Sequence, residues 1–151
     1  MAAPALLFAS GANVPPTPEF RSRRRGLDTR NPKTIVVVDD EPWARLITAR
    51  ILRESGYTVL EAGSGFEALD LVESLGRVAL VLADIAMPGM DGVVLADTIH
   101  ERDPRQRVAF LSAYGGVVAK VGMKGPPVPI LEKPIPPEEL TRRVEEIVRK
   151  S

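Results

Sequence analysis

Three short apolar runs, each followed by charged residues, constrain the fold of this chain more than any other feature. Residues 35–38 precede Asp39 and Asp40, residues 78–83 precede Asp84, and residues 130–131 precede Glu132 and Lys133. Continuous runs of β-branched and other apolar residues are typical of strands buried on both faces of a parallel sheet. Because the carboxyl ends of parallel strands share one edge of the sheet, we expect these acidic residues and the lysine to meet there.

The predicted meeting of three carboxylates indicates a metal site. Ionised aspartates that share a crevice repel one another, and a divalent cation with oxygen ligands removes this repulsion. Proteins hold Mg²⁺ through one or two carboxylates together with water and phosphate oxygens. The sequence therefore predicts that Asp39, Asp40 and Asp84 bind Mg²⁺.

The composition indicates one folded domain without cysteine chemistry. The chain has 151 residues, of which 44% are hydrophobic, and it has no cysteine. This length supports one domain, and the lack of cysteine excludes disulfides and thiolate metal sites. Residues 1–33 contain six Lys and Arg residues and two Asp and Glu residues. Residues 34–151 contain 14 Lys and Arg residues and 18 Asp and Glu residues. The predicted folded part is mildly acidic, which argues against direct DNA binding.

Residues 1–32 are predicted to form a disordered Pro/Arg-rich tail ahead of a folded domain over residues 33–151. Pro15, Pro16, Pro18 and Pro32 interrupt any regular element there, and apolar periodicity is absent. The arginines at 21 and 23–25 are interpreted as a solvated cluster, and a translation start further downstream is left open. No apolar run is long enough to cross a bilayer, and the arginines follow the apolar stretch at 5–9. We therefore expect a cytoplasmic protein without membrane insertion.

Beyond the tail, strand and helix patterns alternate. Strands are predicted over residues 34–39, 57–61, 78–84, 107–112 and 128–132, and helices over 41–55, 65–75, 91–102 and 137–150. The glycine- and proline-rich segment 113–127 has room for one more helix, short and labile, at about 117–123. Right-handed crossovers then predict an α/β fold with a doubly wound five-stranded parallel sheet in the flavodoxin-like order 2-1-3-4-5.

The order of the functional residues resembles that of a response-regulator receiver domain of the CheY-like superfamily. The matching features are Asp39-Asp40 after the first strand, the loop from Asp84 to Gly92 after the third, Ser112-Ala113 after the fourth and Lys133-Pro134 after the fifth. One acidic pair would be a weak signal. These signatures, in the right order on successive strands across residues 33–150, are specific.

The resemblance implies a phosphoacceptor of two-component signalling and not an enzyme in the ordinary sense. It implies that Asp84 receives a phosphoryl group from a histidine kinase, as a carboxylate nucleophile can. Lys133 is expected to pair first with Asp84 and then with a phosphoryl oxygen, and Ser112 to donate its hydroxyl to another. The resemblance also implies a cis peptide bond before Pro134.

For the metal, the resemblance adds the backbone carbonyl of Ala86 to the ligands Asp39, Asp40 and Asp84. Expected partners are a sensor histidine kinase and an unknown downstream protein or phosphotransferase. Since one residue follows Lys150, we expect a stand-alone receiver without an output domain. The alternative left open is an interaction module on the same fold that works without phosphorylation.

Two features depart from the common receiver pattern: the residue at position 130, and the glycine-rich stretch within 113–127 where the fourth helix of a receiver is expected. Ile130 stands three residues before the lysine, where receivers commonly carry Phe or Tyr. The run 110–115 partly resembles the Phe-Ala-Thr-Gly-Tyr signature of a subgroup of single-domain receivers from alphaproteobacteria, with Leu111 and Ala113 in place of Ala and Gly. We hypothesise that phosphorylation repositions residues 113–127 and that Tyr114 tunes the lifetime of the acyl phosphate.

Each candidate residue also has a purely structural interpretation. Asp40 could cap the first helix and Asp84 could cap a loop, since Asp is favoured at both places. Lys133 could be a solvated charge. His100 and Glu132 are interpreted as surface residues. A nucleotide enzyme is disfavoured because no glycine-rich loop follows the first strand.

Overall fold

The computed structural model describes residues 31–113 and 124–150. Strands and helices alternate through this part of the chain. The elements are β1 (Asn31–Val38), α1 (Pro42–Glu54), β2 (Thr58–Ala62), α2 (Gly65–Leu75), β3 (Val78–Ala83), α3 (Gly92–Arg102), β4 (Val108–Ser112), β5 (Ile130–Glu132) and α4 (Pro137–Arg149).

The five strands form one parallel sheet in the order β2-β1-β3-β4-β5. The predicted strand order and doubly wound α/β fold are therefore confirmed. Since β1 has β2 on one side and β3 on the other, the direction in which the sheet is built reverses beside β1. Ligands of open α/β sheets bind at the carboxyl ends of the strands at such a switch point.

Alternation along the strands supplies a core on each face of the sheet. Ile35 and Val37 join an apolar cluster with residues of α1 and α4. Val36 and Val38 point to the opposite face and pack with residues of α2 and α3. The runs 35–38 and 78–83 are continuous because β1 and β3 are covered on both faces there, so these runs carry no polar residue.

The first three helices begin near the carboxyl ends of the strands, and a side chain caps the first turn of each. The carboxylate of Glu41 accepts hydrogen bonds from the backbone N–H groups at the start of α1. Ser64 caps α2 and Asp91 caps α3 in the same way. Each capping group satisfies N–H groups that a helix leaves unpaired at its start. The first turns of these helices are thereby fixed next to the ends of the strands.

Two strand boundaries differ from the prediction by two or more residues, and the others agree to within one residue. β1 begins at Asn31, three residues early, because Asn31 pairs with Val78 ahead of an irregularity in the register. β5 begins at Ile130, two residues late; Pro129 has no N–H, and its carbonyl accepts from the N–H of Phe110. The helix predicted at 117–123 and Tyr114 lie outside the described residues.

Within residues 31–113 and 124–150, we find no helix that combines the length and the apolar character needed to cross a membrane.

Candidate functional site

Three carboxylates converge where β1 and β3 end. Oxygen atoms of Asp39, Asp40 and Asp84 all lie within 4.8 Å of one another. Asp39 is buried, Asp84 is half-buried and Asp40 is exposed, so the cluster opens to solvent on one side. The predicted grouping of these three residues at one edge is therefore present in the structure.

Asp39 is held on every side. Its N–H donates to the carbonyl of Ala62 at 3.1 Å, so its backbone continues the pairing of β1 with β2. Its Oδ1 accepts from the N–H of Glu41 at 3.0 Å, and its Oδ2 lies 3.2 Å from Nζ of Lys133. With only 7% of its side chain exposed, Asp39 depends on these partners, since a buried carboxylate without them is costly.

The ion pair of Lys133 corrects one prediction. Lys133 was expected to pair with Asp84, but its ammonium group forms its ion pair with Asp39. The physical reason is that Asp39 is the more buried carboxylate and needs a counter-charge more. Lys133 still acts on Asp84 through space, because its charge lowers the pKa of that carboxyl.

Asp84 lies in the loop between β3 and α3, and several groups shift its pKa. Burial raises the pKa of the Asp84 carboxyl, and the negative charge of Asp39 raises it further. The charge of Lys133 and hydrogen bonds from the backbone of Ile85 and Ala86 act in the opposite direction, and the net pKa is raised. A carboxylate in this state gains from a cation placed beside it.

The loop of Asp84 is closed against α3 by a glycine. Gly92, the first residue of α3, donates its N–H to the carbonyl of Ile85 at 2.8 Å. A Cβ atom at position 92 would lie 2.4 Å from the carbonyl oxygen of Asp84. Only glycine permits this approach of the helix to the backbone of the phosphoacceptor candidate.

Ser112 ends β4 and Lys133 directly follows β5, and these two strands lie on the other side of β3. Ser112 is buried at the end of β4 and is in register with Glu132 of β5. Its carbonyl accepts from the N–H of Lys133 at 3.0 Å. The Lys133–Pro134 peptide bond is cis, as the resemblance implied.

The donor set fits a hard divalent cation. Three carboxylates, one of them with a raised pKa, concentrate negative charge in one opening, and a cation with oxygen ligands would offset that charge. Asp39, Asp40 and Asp84 could supply side-chain oxygens. Ala86, which is exposed, lies two residues after Asp84 in the same loop, where its carbonyl could complete the set.

The structure also tests the purely structural interpretations of Asp40, Glu132 and His100. Glu41, and not Asp40, is the residue that caps α1, so Asp40 is left for the acidic cluster. Glu132 is exposed, as predicted. His100 is half-buried, which corrects its interpretation as a surface residue; one ring nitrogen lies 3.1 Å from the carbonyl of Gln106. This contact ties the end of α3 to the connection that precedes β4.

Sequence reasoning missed Arg45. Its Nη1 donates to the carbonyl of Asp39 at 2.8 Å, and its Nε lies 3.3 Å from Oε1 of Glu61. An arginine in the second turn of an amphipathic helix has no special spacing, so only its distance of six residues from Asp39 could have drawn attention to it.

Exposed apolar side chains lie on the helices that begin near this edge of the sheet. Among the described residues, large hydrophobic side chains with high exposure lie in the first two turns of α1 and in the first turns of α2 and α3; these are Trp43, Leu46, Ile47, Phe66 and Val94. All three helices begin where the strands end. We refer to these five side chains as the apolar rim.

Comparisons with known proteins identify this arrangement. Residues 35–145 match the family described as the response regulator receiver domain. The chain is 35% identical over 103 residues to the sensor kinase CckA of Brucella abortus, and the aligned region covers 68% of this chain and 11% of that protein. It is 36% identical over 81 residues to the sporulation initiation phosphotransferase F of Bacillus subtilis, and the aligned region covers 54% of this chain and 64% of the relative.

Solved structures agree. The receiver domain of the hybrid histidine kinase CckA matches with a TM-score of 0.64 and 36% identity, covering 77% of this chain and 99% of that one. The response regulator TrrA of Thermotoga maritima, solved in complex with Mg²⁺ and BeF, matches with a TM-score of 0.66 and 31% identity over 76% and 98% of the two chains. Against the curated relatives the chain spans from about a tenth to less than two-thirds of their length. From the family match, the fold and the acidic edge of the sheet together, we conclude that this chain belongs to the response regulator receiver domain family.

Proposed function

We propose that this receiver domain takes a phosphoryl group from a histidine kinase onto Asp84 and thereby switches or relays a signal. The observation that carries the proposal is the convergence of Asp39, Asp40 and Asp84 within 4.8 Å, with Lys133 3.2 Å from Asp39 at the same edge. An acidic cluster with one half-buried lysine is suited to stabilising a transferred phosphoryl group, which carries its own negative charge.

In the proposed reaction, a carboxylate oxygen of Asp84 attacks the phosphorus of a phosphohistidine. The new O–P bond makes an acyl phosphate, the N–P bond breaks, and the imidazole nitrogen keeps the electron pair of that bond. Lys133 is close enough to exchange Asp39 for a phosphoryl oxygen, since its side chain is flexible and 28% exposed. Ser112 is the proposed hydroxyl donor to the same group.

Receiver domains typically bind Mg²⁺ at an acidic pocket, and we propose that this chain does so through Asp39, Asp40, Asp84 and the carbonyl of Ala86. When bound, Mg²⁺ offsets charge on the phosphoryl oxygens. Asp39 is oriented for this task by Glu41 and by the backbone of β2. Turnover of an external substrate is not part of the proposal; self-phosphorylation and hydrolysis of the acyl phosphate are the only reactions.

The partners follow from this chemistry. A histidine kinase domain that presents phosphohistidine must approach the opening above Asp84, and the apolar rim with Trp43 and Ile47 offers it a surface that can be desolvated. We propose that the two meet in the cytoplasm. A downstream protein or phosphotransferase then binds the phosphorylated form, without direct contact of this domain with DNA.

A phosphotransfer assay that also identifies the phosphorylated residue tests the proposal. The protein is incubated with phosphoramidate and, separately, with autophosphorylated histidine kinases, and intact mass is recorded with and without Mg²⁺. We expect a gain of one phosphoryl group that requires Mg²⁺ and is absent in Asp84→Asn. A gain of the same size in Asp84→Asn would place the phosphoryl group elsewhere and contradict the proposal. Asp70→Asn, an exposed aspartate of α2, is the matched control.

A further inference from the structure

Arg45 joins the acidic cluster to the neighbouring strand, although it contributes no carboxylate and is not one of the family's signature residues quoted above. Its guanidinium group donates through Nη1 to the backbone carbonyl of Asp39 at 2.8 Å. The same group lies 3.3 Å from Oε1 of Glu61 through Nε. One side chain of α1 thus holds the residue that follows β1 and a residue of β2 together.

The anchor of Arg45 is itself fixed. Glu61 accepts a second hydrogen bond, at 3.2 Å, from Nη1 of Arg53, and Nη2 of Arg53 donates to the carbonyl of Val59 at 2.8 Å. Both oxygens of the Glu61 carboxylate are therefore used, and their donors lie two turns apart on α1. The Glu61 side chain is 27% exposed and that of Arg45 is 22% exposed, so neither is a freely solvated surface group.

The backbone leaves room for this guanidinium group. A Cβ atom at Gly63, one residue beyond the end of β2, would lie 3.3 Å from Nη1 of Arg45. This is closer than most Cβ contacts, so a side chain there would press on the arginine. The glycine and the two acceptors together define a fitted position for Arg45 and not a chance surface contact.

The consequence concerns the orientation of Asp39. Its N–H, Oδ1 and Oδ2 have the partners given above, and Arg45 takes the remaining group, the carbonyl. We propose that Arg45 is a positioning residue for the cation: by holding the carbonyl of Asp39, it keeps the carboxylates of Asp39 and Asp40 aimed into one opening. This inference rests on the proposed Mg²⁺ site.

A charge effect and a positioning effect of Arg45 predict opposite changes in Mg²⁺ affinity when Arg45 is removed, which makes the proposal testable. Arg45 carries a positive charge close to the acidic cluster, so its removal would strengthen Mg²⁺ binding if charge alone mattered. If Arg45 acts by positioning, its removal weakens Mg²⁺ binding, as is typical when a partner of a metal ligand is removed. We expect the dissociation constant for Mg²⁺ to rise about tenfold in Arg45→Met.

The experiment titrates MgCl₂ into the ¹⁵N-labelled full chain and follows the backbone amides of Asp84 and Ile85. The variants are Arg45→Met and Arg45→Lys. The lysine keeps the charge but has one ammonium group in place of the planar fork, so it cannot hold both acceptors in the same geometry. Arg50→Met is the charge-matched control, because Arg50 lies on the same helix in an exposed pair with Glu54.

Weaker Mg²⁺ binding in both Arg45 variants, with Arg50→Met unchanged, supports the positioning role. Wild-type affinity in Arg45→Lys, or equal or tighter binding in Arg45→Met, overturns it while the proposed function stands. If Arg45→Met does not fold, Arg45→Lys decides alone. Absence of Mg²⁺ binding in the wild-type protein contradicts the proposed function and this inference together, so the two failures are distinguishable.

Discussion

Replacement of Asp84 by Asn should stabilise the protein in the absence of metal. Burial and the charge of Asp39 raise the pKa of Asp84, so the folded protein binds this proton more tightly than the unfolded chain does. At neutral pH, ionised Asp84 therefore costs folding stability. Asparagine has the same shape without the charge, and the variant should be the more stable protein.

The structure gives the size of the effect. The carboxylate oxygens lie within 4.8 Å of one another. Two unit charges at that separation repel by about 3.5 kcal/mol at an effective dielectric constant of about 20 and by about 0.9 kcal/mol in water. Asp84 is half-buried and Lys133 offsets part of the repulsion, so the lower value applies. We expect a gain of about 1 kcal/mol, or a rise of about 3–5 °C in Tm.

Urea unfolding of wild type and Asp84→Asn, in EDTA at a series of pH values, measures this gain. The sign follows from linkage: the cost of Asp84 is complete above its raised pKa in the folded state and vanishes below its ordinary pKa in the unfolded chain. The advantage of Asp84→Asn should therefore be largest at neutral pH and shrink as the pH falls through that window. A variant that is no more stable than wild type at pH 7, or an advantage that grows in acid, would refute the reasoning.

Two further predictions concern the surroundings of the site. Gly92→Ala places a Cβ atom 2.4 Å from the carbonyl of Asp84 and should cost about 2 kcal/mol of stability, as overpacking against rigid backbone does. Gly65→Ala, at the same position of α2, has side-chain atoms of Met90 as its nearest neighbours, with Sδ at 2.8 Å and Cβ at 3.0 Å, and no backbone atom as near as the 2.4 Å found at Gly92. Urea unfolding should therefore show a smaller loss, and equal losses would contradict the prediction. Lys133→Met leaves Asp39 with a buried charge and should cost about 1–2 kcal/mol in EDTA, discounted because Lys133 is 28% exposed. Mg²⁺ should raise the Tm of this variant more than it raises the Tm of wild type. Paired thermal melts that show a larger rise in wild type would contradict the prediction.

The fold was predictable because its pattern is local and repeated. Each buried strand is a continuous apolar run, and each run ends in the residue that reaches the edge of the sheet, so the grouping of Asp39 with Asp84 followed from topology alone. The partner of Lys133 did not follow. The choice between Asp39 and Asp84 depends on which carboxylate is more buried once the loop before α3 has folded, and no periodicity records that.

Arg45 and Glu41 were unpredictable for a related reason. Their roles depend on side-chain hydrogen bonds to backbone groups, to the carbonyl of Asp39 and to the first N–H groups of α1. Glu41 immediately follows Asp40, and Asp is the better capping residue on general grounds. The structure nevertheless assigns the cap to Glu41, and Asp40 stays with the acidic cluster. Expectations for Tyr114 and for the ordering of 113–127 remain predictions.

The most direct test of the central claim is an amide NMR spectrum of the ¹⁵N-labelled protein in Mg²⁺, before and after addition of beryllofluoride, which mimics a phosphoryl group on a carboxylate. This experiment needs neither the cognate kinase nor a reactive phosphodonor. The account predicts shifts at Asp39, Asp84, Ser112 and Lys133 that are absent in Asp84→Asn. An unchanged wild-type spectrum would contradict phosphoacceptance at Asp84 and favour an interaction module that works without phosphorylation.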